Sequence, residues 1–155
     1  MIKSTGVLEF SPQDRTRKHK NQSSWKKTAM IMVDSDIDEY YSWFLKKRFN
    51  LELNRTLRGS HITIISDKMD FQVFEDAAKI FDGREIDFFY DPKDINSTGK
   101  HWWLNVECTD AENIRESMGL KRTPYFGFHL TLGYANEKNI DHSRYIINQI
   151  KKFGL

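Results

Sequence analysis

Hydrophobic and polar positions change period several times along this chain. Thr28 to Val33 (TAMIMV) is a short apolar run ending at an Asp-Ser-Asp turn, which predicts a buried strand. At Asp36 the period becomes helical. Asp36 and Glu39 have capping-box spacing, and Tyr40, Trp43, Phe44 and Lys47 follow at steps of three and four, predicting a helix to about Phe49. Ser60 to Ser66 (SHITIIS) alternates and is rich in β-branched residues, so it reads as a strand. Asp70 then caps a helix over Phe71 to Asp82, which Gly83 stops. Glu85 to Tyr90 (EIDFFY) and Trp102 to Cys108 (WWLNVEC) read as two strands that could pair as a long hairpin around a turn-rich DPKDINSTGK loop. Thr109 or Asp110 caps a helix that Gly119 closes, Phe126 to Tyr134 (FGFHLTLGY) is the last strand, and Asp141 to Phe153 is a closing helix. The predicted order is β, α, β, α, β, β, α, β, α, an α+β chain.

Two of these strands carry the same constellation. Gly59-Ser60-His61-Ile62-Thr63-Ile64 recurs 68 residues later as Gly127-Phe128-His129-Leu130-Thr131-Leu132, and an Arg-Thr pair precedes each copy, Arg55-Thr56 and Arg122-Thr123. Side chains alternate across a strand, so Gly59, His61 and Thr63 share one face while Ser60, Ile62 and Ile64 share the other. In the second copy Gly127, His129, Thr131 and Gly133 oppose Phe126, Phe128, Leu130, Leu132 and Tyr134. The greasy faces belong to a core. The other faces present imidazole and hydroxyl beside glycine, where a ligand could approach the backbone. A lone strand histidine beside a threonine is ordinarily a half-exposed surface pair, but the same three residues at the same offsets twice point to a shared groove.

Composition sets the scale of the molecule. With 155 residues, 39% of them hydrophobic, the chain is one domain's worth and can bury a core. No apolar run approaches the roughly 20 residues that span a bilayer, and the first residues lack the apolar segment of a signal peptide. Cys108 is the single cysteine, which fits a reducing compartment and excludes a disulfide scaffold. A cytosolic protein is expected. The net charge of +2 is unevenly spread. Residues 1 to 30 hold seven Lys/Arg against Glu9 and Asp14, while the rest holds 17 basic against 20 acidic residues. Residues 1–27 are therefore expected to form a basic arm, either a polyanion contact or a solvated leader, outside a domain spanning 28–155.

The paired His-x-Thr-x segments, His61-Ile62-Thr63-Ile64 and His129-Leu130-Thr131-Leu132, resemble the signature of the two-histidine (2H) phosphoesterase superfamily. The resemblance covers about residues 28 to 153. It implies a two-lobed, pseudo-symmetric fold with antiparallel sheets around a central groove and helices outside. It further implies metal-independent action on RNA-type phosphodiesters or cyclic phosphates, with His61, Thr63, His129 and Thr131 as the active residues and no cofactor. Within that superfamily, the small size and basic arm look most similar to phage anti-CBASS enzymes, which destroy cyclic oligonucleotide messengers in the host cytoplasm.

The residues support that chemistry on their own terms. A free histidine titrates near pH ~6.5, so two held about a phosphate apart can act as base and acid, and either could take either role. Threonine hydroxyls can donate to non-bridging phosphate oxygens, where charge builds in the transition state. A hydrolytic metal site needs about three ligands, and the chain has no His-Glu-x-x-His helix and no paired cysteines. His101, His142 and His19 read as structural or surface residues. Tyr125 and Trp25 are the expected base-stacking contacts, with Arg58 and Arg122 beside them, although Arg55 and Arg122 could equally bind carboxylates within the body. The expected partner is a small nucleotide, a cyclic di- or trinucleotide or, alternatively, an RNA end with a 2′,3′-cyclic phosphate. No membrane partner is expected, and a homo-oligomer is left open. A nucleotide-binding module without turnover is the reading from a different class.

Overall fold

A computed structural model describes residues 1–12, 27–34, 36–56 and 59–155. Six strands, β1 (Ile2–Phe10), β2 (Ala29–Met32), β3 (His61–Ile65), β4 (Glu85–Ser97), β5 (His101–Glu107) and β6 (Phe128–Tyr134), form one antiparallel sheet closed into a barrel in the order β1-β2-β3-β6-β5-β4. Helices α1 (Ile37–Phe49), α2 (Phe71–Phe81), α3 (Thr109–Ser117) and α4 (Ile140–Phe153) alternate with the later strands. The predicted order holds from Ala29 onward, and the expected hairpin exists as β4–β5. One closed sheet stands where separate sheets were expected.

Two departures have physical reasons. The division at residue 27 placed everything before it outside the domain, whereas Ile2–Phe10 is a strand of the barrel. It pairs Ile2 with Tyr90 on one side and Phe10 with Ala29 on the other. Its apolar residues Ile2, Leu8 and Phe10 share a face that Ser4 and Gly6 interrupt, while Val7 stands on the other, so the alternation is weak, and Leu8 alone of them is fully buried. The second departure is β4, which continues through DPKDINS to Ser97. The β4–β5 register shifts between Tyr90 and Ile95, and this irregularity accommodates Pro92 within the strand.

Ile31, Ile62, Ile64, Phe88, Trp102, Leu104, Leu130 and Leu132 form the centre of the core, with Leu45, Phe74, Ile114 and Ile147 entering from the four helices. Three polar clasps fix the helices to the site strands. The Asp36 side chain makes no cap bond to α1, contrary to the capping-box reading. Ser60 does that work instead: its Oγ accepts from the Asp38 N–H at 3.2 Å and donates to the Asp38 carboxylate at 2.7 Å. Arg115, buried in α3, donates to the Ile64 carbonyl at 2.8 Å and to Asp67 at 2.8 Å. That guanidinium holds the Asp67 carboxyl below its usual range. The Trp102 indole N–H donates to Ser143 of α4 at 2.8 Å.

Candidate active site

The two Gly-x-His-x-Thr segments lie on neighbouring strands. Ile62 pairs with Leu130 across β3 and β6. One step to each side sets His61 opposite Thr131 and Thr63 opposite His129, all on the face turned away from Ile62 and Leu130. The two histidines occupy diagonal positions of that face, their backbones on the order of 7–8 Å apart at this ladder spacing. His61, Thr63 and His129 are half-buried and Thr131 is buried.

Each site strand is entered through a glycine whose N–H reaches back to a carbonyl three residues earlier. The Gly59 N–H meets the Thr56 carbonyl and the Gly127 N–H meets the Pro124 carbonyl, with φ of 71° and 70° at the two glycines. Those angles lie in the left-handed region that glycine adopts without strain. A Cβ at either position would meet nothing within 4 Å, so conformation rather than crowding requires glycine. The turn returns the glycine carbonyl beneath the imidazole two residues on. Gly59 O lies 3.0 Å from His61 Nδ1, and His129 makes the corresponding hydrogen bond to the Gly127 backbone. A carbonyl only accepts, so His61 Nδ1 carries the hydrogen and Nε2 is the basic nitrogen of the neutral ring. Burial pushes His129 below the ordinary histidine value, and its Gly127 hydrogen bond opposes that shift.

A third histidine joins them. His101, from β5, points its Nε2 at Thr131 Oγ1, 3.1 Å away. Its ring stacks on Tyr134 at 5.1 Å and stands edge-on to His129 at 6.0 Å. Burial, and then the charge of His129, lower His101 as well. From the sequence alone His101 reads as structural or surface. Its signal was the alternation of HWWLNVEC, in which Trp102, Leu104 and Val106 are buried and His101, Trp103 and Asn105 turn the other way. Only the β5–β6 register, with Asn105 opposite His129, shows that this second face is the site face.

His101 and His129 open into a cleft of about 390 Å³, lined also by Trp103, Phe126, Asn96, Thr98 and Asn105. None of its lining residues is a lysine or arginine. Asn105 accepts from the Trp103 indole N–H at 3.2 Å and donates to Asp94 at 3.1 Å, which fixes the indole at the wall. Phe126 was expected on the greasy face of the last strand, but the strand begins at Phe128 and Phe126 is 81% exposed at the cleft. Tyr125, 94% exposed, meets the Phe126 ring edge-on at 4.8 Å.

The remaining expected contacts fall elsewhere. Arg122 is held by Glu116 at 2.6 Å and Glu112 at 2.7 Å, both on α3, so its partners are carboxylates and it does not line the cleft. Arg55 is caught in the same way by Asp38 and Glu39 on α1. In both halves, then, an arginine before the glycine turn is pinned to the preceding helix. Trp25, Arg58 and His19 lie outside the described residues. His142 reaches the Phe49 carbonyl, away from the cleft. Among the described residues, no group of three or more His, Cys, Asp or Glu side chains is arranged to hold a metal ion.

Residues 28–140, well over half of the chain, match the family model described as "Swiss Army Knife, 2H phosphoesterase domain". No curated protein and no solved structure matches the chain.

Proposed function

The chain belongs to the 2H phosphoesterase domain family, whose activity is phosphodiester hydrolysis, and from that premise we propose that it cleaves 3′,5′ bonds in a small ribonucleotide without a metal ion. The observation that carries this reading is the duplicated clamp: two imidazoles on one face, each anchored through a backbone carbonyl. His129, kept neutral by burial, takes the proton from the ribose 2′-hydroxyl. The 2′-oxygen attacks phosphorus, and the P–O5′ bond breaks as His61 delivers a proton to the departing oxygen. The products are a 2′,3′-cyclic phosphate and a free 5′-hydroxyl. Water then opens the ring with the two histidines exchanging roles. Thr63 and Thr131 hydroxyls donate to the non-bridging oxygens as charge gathers there.

The cleft beside His129 supports a nucleotide as the substrate. Its walls are aromatic, none of its lining residues is a lysine or arginine, and its volume lies in the range of small-ligand sites. An uncharged planar base suits those walls better than a second phosphate does. A cyclic di- or trinucleotide messenger presents both groups in one compact molecule. With that substrate the chain would act as an anti-CBASS enzyme in a host cytoplasm.

Incubation in EDTA with ribo and 2′-deoxy cyclic dinucleotides, cyclic trinucleotides and RNA ending in a 2′,3′-cyclic phosphate, followed by chromatography, tests this. The expected result is cleavage of a cyclic ribonucleotide and none of its 2′-deoxy form. Equal cleavage of the deoxy form refutes attack by the 2′-oxygen. Turnover of RNA ends alone moves the substrate to RNA termini, and product from no ribonucleotide makes the groove a receptor.

A further inference from the structure

His101 belongs to neither motif, yet its Nε2 lies within hydrogen-bond distance of a motif hydroxyl. Its place is fixed from three sides. The His101 N–H donates to Thr98 Oγ1 at 3.2 Å, its carbonyl accepts from the Thr98 N–H at 3.1 Å, and its ring lies flat on Tyr134 at an interplanar angle of 13°. Thr131, its partner, is 8% exposed and has little room to choose another orientation.

A threonine hydroxyl has one hydrogen to give and two lone pairs to receive with. If His101 Nε2 accepts that hydrogen, Thr131 has none left for a phosphate oxygen. If Nε2 carries the ring hydrogen and donates it, the Thr131 hydrogen is free to turn toward the face it shares with His61 and His129. We propose that His101 is a positioning residue, held as the Nε2–H tautomer, which donates to Thr131 Oγ1 and thereby aims the Thr131 hydroxyl hydrogen at the substrate phosphate. The contact itself is geometry, and the choice of tautomer rests on the phosphodiesterase reading, which needs the Thr131 hydrogen free for phosphate. Burial and the neighbouring His129 keep the His101 ring neutral, so it has a single hydrogen whose position decides the matter. The edge-on contact with His129 also places this neutral ring beside the imidazole that gains charge during the reaction.

The tautomer is read directly from the ring ¹⁵N shifts of His101 in the intact protein near pH 7.5. A protonated Nε2 and a bare Nδ1 are expected, and the reverse overturns the proposal whether or not a substrate is known. Kinetics on the cleaved substrate provide the second arm. His101→Phe keeps the stacking ring on Tyr134 and removes the donor. It should lower kcat about tenfold with KM changed less than about twofold, a smaller loss than deleting a transition-state donor outright. His101→Gln, which returns an N–H, should recover most of that loss. In a Thr131→Val background His101→Phe should add almost nothing. A rise in KM with kcat intact, or losses that multiply in the double variant, would make His101 a wall of the cleft and no more. Wild-type protein that cuts no phosphodiester sinks the functional reading while the ¹⁵N result still decides the tautomer.

Discussion

The two halves of the site share a turn, a clamp and a helix-bound arginine, yet they are backed by different materials. His61 stands in front of a buried polar lattice, with Ser60 locked to Asp38 and Asp38 to Arg55. His129 stands beside rings: His101, Trp103 and, at the cleft, Phe126. The proposed reaction asks the same of both imidazoles, and it gives only the aromatic side a nucleobase to meet. The repeat thus extends to the glycine, the imidazole and the pinned arginine, and stops at what surrounds them, a polar anchor on one side and an aromatic wall on the other.

The sharpest way to break the symmetry is to remove each imidazole in turn. His61→Ala and His129→Ala should each lower turnover by at least about a hundredfold while the thermal midpoint stays near wild type. A variant with unchanged rate would show that its half is no part of the acid–base pair. The anchoring side should fail through stability instead. Asp38→Ala leaves the buried Ser60 hydroxyl hydrogen and the Arg55 guanidinium without the carboxylate they donate to. A loss of about 2 kcal/mol in chemical denaturation is expected, with the kcat of the remaining folded protein little changed. The recognition side should fail through binding. Trp103→Ala should raise KM about tenfold for a base-bearing substrate, in line with the worth of one stacked base, and leave a base-free ribose 2′,3′-cyclic phosphate unaffected.

The smallest effect is a pH signature. His129 and His101 are both lowered in the folded protein, so the unfolded chain takes up their protons first as the solution is acidified. Stability is therefore full above the ordinary histidine value near ~6.5 and declines as pH falls through it. Denaturant midpoints at pH 8 and pH 5.5 should show the decline, and His101→Phe should shrink it. A decline of undiminished size would assign it to other groups. By the same sign, the acid limb of kcat/KM should lie below the ordinary histidine range.

Much of this was legible beforehand, and the reasons are local. His61, Thr63, His129 and Thr131 declare themselves through repetition, and Asp70 caps its helix as its spacing says, accepting from the N–H groups of Gln72 and Val73. What escaped depended on partners distant in sequence. Ser60 reads as a strand residue, and only folding shows it capping α1. His101 reads as a lone histidine until β5 is laid beside β6. Ile2–Phe10 alternates too weakly, with Ser4 and Gly6 on its apolar face, to read as a strand alone and draws its order from β2 and β4 on either side. Phe126 follows the apolar pattern of its segment, and the Gly127 turn removes it from the strand.

The closure of the barrel imposes a timetable on synthesis. Strand β1 leaves the ribosome before its partners: β2 can reach it about twenty residues later, but its other edge waits for Glu85 to Tyr90. Through that interval a nascent ribbon carries open backbone donors and acceptors along one side, the very surface on which extended chains adhere to each other. Lys3, Ser4, Thr5 and Glu9, which weaken the strand pattern of β1, also make that waiting edge less adhesive than a greasier stave would be.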